Sequence, residues 1–306
     1  MERPYILHML TPGRQMSPFD INMAADAGYQ VIAPYCDVQT DAVAGLVQDT
    51  IFSRSPKGLA RTGIFIGGRD ALVAADQLDR AKAAMFKPFQ VSLMADPSGA
   101  FTTAAAMVAC VEAALQPAHA QGLKDLRVLV VGGTGPVGRV AGVIAAQAGA
   151  QVFLASRGGT GAADEAARET GERFGVELQG ASSADSAALC SAIADADVLL
   201  ACAAAGVQVV SAQALACARR LKVAADLNAV PPEGIAGIGV QDDAKPLAGT
   251  SAVGIGALAV GNVKYQTQQR LLLQMHDAPQ ALVLSFAQAF ETARAFIAEK
   301  AAKPAG

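Results

Sequence analysis

The run LRVLVVGGTGPVGRVAGVIAAQAG, residues 126–149, constrains the fold of this chain more than any other. An apolar stretch suited to a buried strand leads into glycines, and a helix of small residues follows. Gly133-Thr134-Gly135-Pro136-Val137-Gly138 fits GxGxxG. In that setting the first glycine allows a tight turn, the second lets backbone amides approach a pyrophosphate, and the third permits close helix–strand packing. The helix start adds unpaired N–H groups and partial positive charge. The reading is a dinucleotide-binding unit.

The segments around this run extend the pattern. AQVFLAS, DADVLLACAAAG and LKVAADLNAV read as further strands, and DEAARETGERFG as an exposed helix. The succession predicts a Rossmann-type doubly wound α/β sheet. Before it, YILHML, YQVIAPY, TGIFIGG and FQVSLM alternate with two helical patterns whose first turns look acidic, which predicts a separate N-terminal α/β domain. FTTAAAMVACVEAALQ is a helix that Pro117 should end, and PAHAQGLKD reads as a linker. From about residue 262 the chain is helical again. The expected division is 1–118, 119–262 and 263–306, with the last part returning to the first. A chain of 306 residues accommodates two domains.

About 20 residues beyond the first glycine, an NAD-binding unit places an acid on the ribose 2′-OH. Here Ser156 and Arg157 stand at that point, followed by Gly158 and Gly159. A carboxylate would repel a 2′-phosphate, whereas a hydroxyl and a guanidinium bind one. The expected coenzyme is therefore NADP, with nothing acidic there to turn NAD away. Ala203 offers close backbone approach to a nicotinamide ribose. Asn228 and the Pro231-Pro232 turn are further candidates to line the coenzyme crevice.

Composition narrows the classes. The net charge is −3 with no basic block, which argues against nucleic acid. Residues 198–218 and 246–263 are uncharged but rich in small and polar residues, so they read as buried strands with turns rather than membrane spans. MERPYILHML lacks the apolar region and cleavage site of a secretory signal. Five cysteines without CxxC spacing read as reduced thiols of a cytoplasmic protein. Three scattered histidines predict no metal site.

The segments ILHMLTP, MSPFD, DTIFSR, ADPSGAFTTAAAMVA, GGTGPVG, NAVPPEGIAGI and GIGALAVGNVKYQTQ together resemble the bacterial NAD(P)-dependent methylene-tetrahydromethanopterin dehydrogenases, over essentially the whole chain. Relatives that act on methylene-tetrahydrofolate match less well at the N-terminus and at 254–268. The resemblance implies a pterin-binding N-terminal domain, an active-site cleft between domains, a homo-oligomer and a place in one-carbon metabolism, in formaldehyde oxidation. It implies hydride transfer from the carbon bridging N5 and N10 of the pterin to the nicotinamide. It marks Lys264 as catalytic, with Tyr265 and Gln268 as weaker candidates. Asp20, Asp96, Thr102 and Thr103 are candidate pterin contacts, although Asp20 could equally cap a helix and Asp96 a turn.

Three other readings stay open: a methylene-tetrahydrofolate dehydrogenase, a shikimate-dehydrogenase-type NADP reductase, and a non-catalytic NADPH sensor. The YxxxK pair of the bifunctional folate dehydrogenase/cyclohydrolases does not occur, so no methenyl hydrolysis is expected.

Overall fold

In the computed structural model, residues 3–116, 119–120 and 122–302 are described below. Strands and helices alternate along the chain. They run β1 (Ile6–Leu10), α1 (Pro18–Asp26), β2 (Val31–Tyr35), α2 (Val43–Phe52), α3 (Pro56–Leu59), β3 (Thr62–Ile66), α4 (Ala71–Ala83), β4 (Ser92–Ala95) and α5 (Ala100–Leu115). Next come β5 (Arg127–Val131), α6 (Pro136–Gln147), β6 (Gln151–Ser156), α7 (Gly159–Phe174), β7 (Gln179–Ser182) and α8 (Ser186–Ala194). The remainder is β8 (Val198–Ala201), α9 (Ala212–Leu215), β9 (Val223–Asp226), β10 (Lys245–Pro246), β11 (Val253–Ile255), α10 (Ala257–Asp277), β12 (Val283–Leu284) and α11 (Phe286–Ala302).

The chain forms two compact units. The first comprises Met1–Thr102 and Tyr265–Thr292, the second Thr103–Lys264 and Ala293–Gly306. These limits differ from the sequence reading. Almost all of α5 groups with the second unit, and so do the residues from Ala293 onward.

The first unit holds a sheet of order β12-β4-β3-β1-β2, parallel throughout. Its central strands β3 and β4 are buried at every residue, as expected of parallel strands covered on both faces. β2 is an edge strand, which is where Pro34 is tolerated, since a proline cannot donate to the ladder. β12 pairs Val283 with Leu93, so the late segment completes an early sheet.

The second unit holds the order β10-β11-β9-β8-β5-β6-β7, parallel except for the short edge strand β10. Leu129, Val131, Leu199 and Ala224 on its strands pack with Leu189 and Ile193 of α8 in one core. On the other face α6 lies close to β6, because a Cβ at Gly142 would come within 2.8 Å of Leu154 Cδ2.

Several expectations change. β7 and α8 escaped the sequence reading. The acids expected in the first turns of α2 and α4 lie ahead of the helices: Asp41 precedes α2, and Asp70 caps α4, accepting from Leu72 and Val73 N–H. Pro117 lies outside the described residues. α10 begins at Ala257, five residues earlier than expected. Cys190 and Cys217 form a disulfide, so not all thiols are free. Cys36, Cys110 and Cys202 are free. The uncharged runs at 198–218 and 246–263 fold as strands, turns and the short helix α9, with the start of α10. Among the described residues only the helical stretch Pro97–Leu115 is long and apolar enough to span a membrane, and it is mostly buried in the protein.

Candidate active site

The second unit carries a cavity of 350 Å³ at the carboxyl ends of β5, β6 and β8. β5 is flanked by β8 and β6, so this is the point where the strand order reverses. The loop after β5 is built on four glycines with different duties. Gly132 takes the turn, at φ +76°, and a Cβ there would lie 2.9 Å from Ala203 N. The turn glycine therefore precedes the GxGxxG run instead of opening it. A Cβ at Gly133 would meet Leu154 Cα at 2.8 Å, and one at Gly138 would meet Gly132 O at 2.6 Å. Gly135 is the N-cap of α6 and supplies no side-chain partner, while Pro136 occupies the first turn. The first N–H groups of α6 are thus left for an anion.

Arg139 fastens this loop from behind. Its Nε donates to Thr134 O at 3.0 Å, and its other nitrogens donate to Thr170 Oγ1 at 2.9 Å and to Glu169 at 3.0 Å. Nothing in the glycine pattern announced that residue.

Of the expected coenzyme residues, Thr134, Gly135, Ser156, Arg157 and Ala203 line the cavity. Gly133, Pro136, Val137 and Gly138 do not line it; the two glycines shape its wall. Ser156 is buried at the end of β6, where its Oγ accepts from Gly158 N at 3.1 Å and keeps its own proton for a ligand. Arg157 is exposed and, among the described residues, makes no ion pair or hydrogen bond. Cys202 also lines the cavity; burial pushes its thiol up to about 12, so it is a neutral wall and not a nucleophile.

Asn228 is engaged elsewhere and does not line the cavity. Its Oδ1 accepts from Gly206 N and Val230 N, and its Nδ2 donates to Pro232 O at 2.6 Å. Beside it, the buried carboxylate of Asp226 accepts from Asn228, Gly234 and Ile235 N–H. Burial raises the Asp226 pKa, against the pull of those three donors. Asn228 and Asp226 hold the loop shape.

The first unit carries a larger cavity, 850 Å³, at the carboxyl edge of its own sheet. The loop Thr11–Ser17 after β1 and the loop Gly68–Asp70 after β3 both line it. Here β1 lies between β2 and β3, so the strand order reverses at β1. Asp20 lies in the floor, 2% exposed, and its Oδ1 accepts from Gln268 Nε2 at 2.7 Å. Ser17 caps α1, accepting from Asp20 N, so the Asp20 carboxylate is not the cap. Ser98 lines the cavity in a left-handed conformation, φ 50°, with its Oγ donating to Gly68 O at 2.7 Å. A non-glycine residue held there marks a strained position of the kind found at ligand sites.

Three expected pterin contacts do not line this cavity. The Asp96 carboxylate accepts from Phe101 N and Thr102 N at the start of α5, and from Thr102 Oγ1 at 2.6 Å. Asp96 and Thr102 are fully buried and bonded to each other. Thr103 is half-buried on α5. Lys264 is half-buried within α10. It precedes Gln268 by one turn and shares its helix face. Among the described residues no group of three or more His, Cys, Asp or Glu is arranged to hold a metal ion.

Residues 18–98, which include much of the larger cavity, match the family model described as "Methylene-tetrahydromethanopterin dehydrogenase, N-terminal". A protein of Methylorubrum extorquens named NAD(P)-dependent methylenetetrahydromethanopterin dehydrogenase is 48% identical over 94% of this chain and 97% of its own. This chain belongs to the NAD(P)-dependent methylenetetrahydromethanopterin dehydrogenase family. A second relative of this chain, from the same organism and named Bifunctional protein MdtA, is 33% identical over 87% of this chain and 90% of its own. Among solved structures, the dehydrogenase family shares its fold with shikimate 5-dehydrogenase from Listeria monocytogenes. That likeness has a TM-score of 0.52 at 13% identity, covers 91% and 93% of the two chains, and concerns the fold alone.

Proposed function

We propose that this chain oxidises N5,N10-methylene-tetrahydromethanopterin to the methenyl form with NADP as the preferred acceptor. The observation that carries the reading is the 48% identity to a dehydrogenase of that name across both units. When bound, NADP supplies the two-electron acceptor that takes up the hydride.

The second unit fits that coenzyme. The uncapped start of α6 and the Gly132–Gly135 loop suit a pyrophosphate, and Ser156 with the uncommitted Arg157 suits a 2′-phosphate. The first unit is assigned to the pterin. Its ring donates hydrogen bonds to the cavity floor, where Asp20 is fixed by Gln268. A carboxylate held there opposes the positive charge that develops between N5 and N10 as hydride leaves. Lys264 is assigned as the catalytic residue. An ammonium beside the forming cation would repel it, so Lys264 contacts a pterin carbonyl or ring nitrogen away from the bridge, or acts as the neutral amine. Orientation of the two rings contributes most of the rest.

A homo-oligomer in the cytoplasm, serving formaldehyde oxidation, completes the reading. The aromatic cluster of Phe52, Phe86 and Phe89, the first two exposed and the third half-buried, with ring centroids 5.6–6.0 Å apart, supports association. The cytoplasmic placement rests on family membership, since a disulfide such as Cys190–Cys217 is rare in cytosolic proteins.

The test follows absorbance of the reduced coenzyme with both methylene pterins and both coenzymes. Turnover is expected with methylene-tetrahydromethanopterin, faster with NADP than NAD. Coenzyme binding without turnover of that substrate would overturn the reading.

A further inference from the structure

We infer that Arg14 and Arg69 form a subsite for the acidic end of the substrate's tail. This rests on the reading that the 850 Å³ cavity takes the reduced pterin.

The cavity is graded in character. Its floor holds the buried groups Asp20, Thr11 and Met16. Its rim holds two exposed arginines, Arg14 on the loop after β1 and Arg69 on the loop after β3. β1 and β3 are hydrogen-bonded neighbours, so the two loops start about 5 Å apart. Among the described residues neither guanidinium has an ion pair or a hydrogen bond. The acids nearby are occupied. Asp70 caps α4 through Leu72 and Val73 N–H, and Asp20 holds Gln268 below. The rim therefore carries positive charge that the protein itself does not use.

Size points the same way. Sites for ligands of drug size run to roughly 300–1,000 Å³. At 850 Å³ this cavity is in the upper part of that range, with room for more than a bicyclic ring. A reduced pterin coenzyme has two chemically distinct ends. The ring end is rich in hydrogen-bond donors and suits a carboxylate floor. The tail begins at the arylamine on N10 and ends in carboxylates, with or without a phosphodiester, all anionic at neutral pH. A guanidinium fork binds either group with two parallel hydrogen bonds. The ring is the part common to such coenzymes, so the rim is where one acidic tail is told from another.

The full-length enzyme carrying Arg14→Gln, Arg69→Gln or both is compared with the parent and with Arg80→Gln, a charge control on the exposed side of α4. Substrates are methylene-tetrahydromethanopterin and a methylene tetrahydropterin cut off at the arylamine. The double variant is expected to raise KM for the full substrate by about ten- to a hundredfold, as for the net loss of about one charged hydrogen bond at an exposed rim. Turnover at saturation holds, and the ratio of full to truncated KM collapses to near one. Rising salt should weaken the parent's KM for the full substrate more than the double variant's. Separately, detached tail fragments, one ending in carboxylates and one carrying the phosphodiester, are titrated into each protein by calorimetry. Heat with the parent that is lost in the double variant supports the subsite, and the fragment that binds names the anion. If the full-to-truncated KM ratio is the same in parent and double variant, or neither fragment binds the parent, the subsite is wrong. If the parent turns over neither pterin, the proposed function fails, while the fragment titration still decides the arginines.

Discussion

Two side chains carry the sharpest expectations at the residue scale. Arg157 is exposed on the cavity proposed for the coenzyme and has no partner among the described residues, so its removal should change coenzyme choice without touching the fold. A charged hydrogen bond contributes about 1.5–3 kcal/mol. Arg157→Ala should therefore lose roughly ten- to a hundredfold of its preference for NADP over NAD, read from kcat/KM with each. An unchanged ratio would move the phosphate site elsewhere. Lys264 is tested by turnover. Lys264→Ala should bind NADPH as the parent does, keep its circular dichroism, and lose at least about a hundredfold in kcat, a barrier increase near 2.7 kcal/mol. Near-parental turnover at saturating substrate would return Lys264 to the status of an ordinary helix residue.

In the second unit, one covalent bond ties two helices, α8 and the short α9. Cys190 lies on α8 and Cys217 just beyond α9, joined by a disulfide across a separation of 27 residues. Closing a loop of that length in the unfolded chain contributes about 2–4 kcal/mol to stability. Reduction, or Cys190→Ser, should lower the unfolding free energy by that order in urea titrations; coincident curves with and without reductant would mean the purified chain holds free thiols. This bond was not legible in the sequence, because spacing without CxxC says nothing of which helices meet. The strand–glycine–helix run was legible, since its requirements are local: close approach at Gly133 and Gly138 admits no Cβ. Even there the turn fell on Gly132, one position early, because a GG pair leaves the choice to the contact with Ala203. β7, with the polar sequence QGAS at a sheet edge, carried no apolar period to find. Asp96 and Asn228 looked like ligand contacts for the reason that makes Asp and Asn good organisers of turns and caps: both bond well to backbone N–H groups. Only the three-dimensional loop shows that these groups are already engaged.

For the whole molecule, the acid limb of stability has an identifiable source. Asp197 is buried at the start of β8, and burial alone would raise its pKa. Hydrogen bonds from Lys222 and Arg127 N–H, with the charge of Arg220, outweigh that and hold it below 3.8. A lowered folded-state pKa means stability present above the unfolded value and lost as pH falls through the folded one. Unfolding free energy should therefore decline below about pH 4. Lys222→Met should cost about 1–2 kcal/mol at pH 7, reduced from the value of a fully buried pair because Lys222 is partly exposed, and should flatten that decline. A variant whose pH profile ran parallel to the parent's would place the acid sensitivity elsewhere. The pairing of Val283 with Leu93 has a further consequence, for the chain as it is being made. β4 leaves the ribosome about 190 residues before its partner β12 exists. At roughly 5–20 residues per second, that is a wait of about 10–40 seconds. In that interval the edge of β4 has no β12 to cover it, and an open strand edge invites pairing with other chains. Most of the second unit, from Thr103 to Lys264, is synthesised during that wait. A nascent chain thus has most of the unit proposed to hold its coenzyme before it can finish the sheet assigned to its substrate.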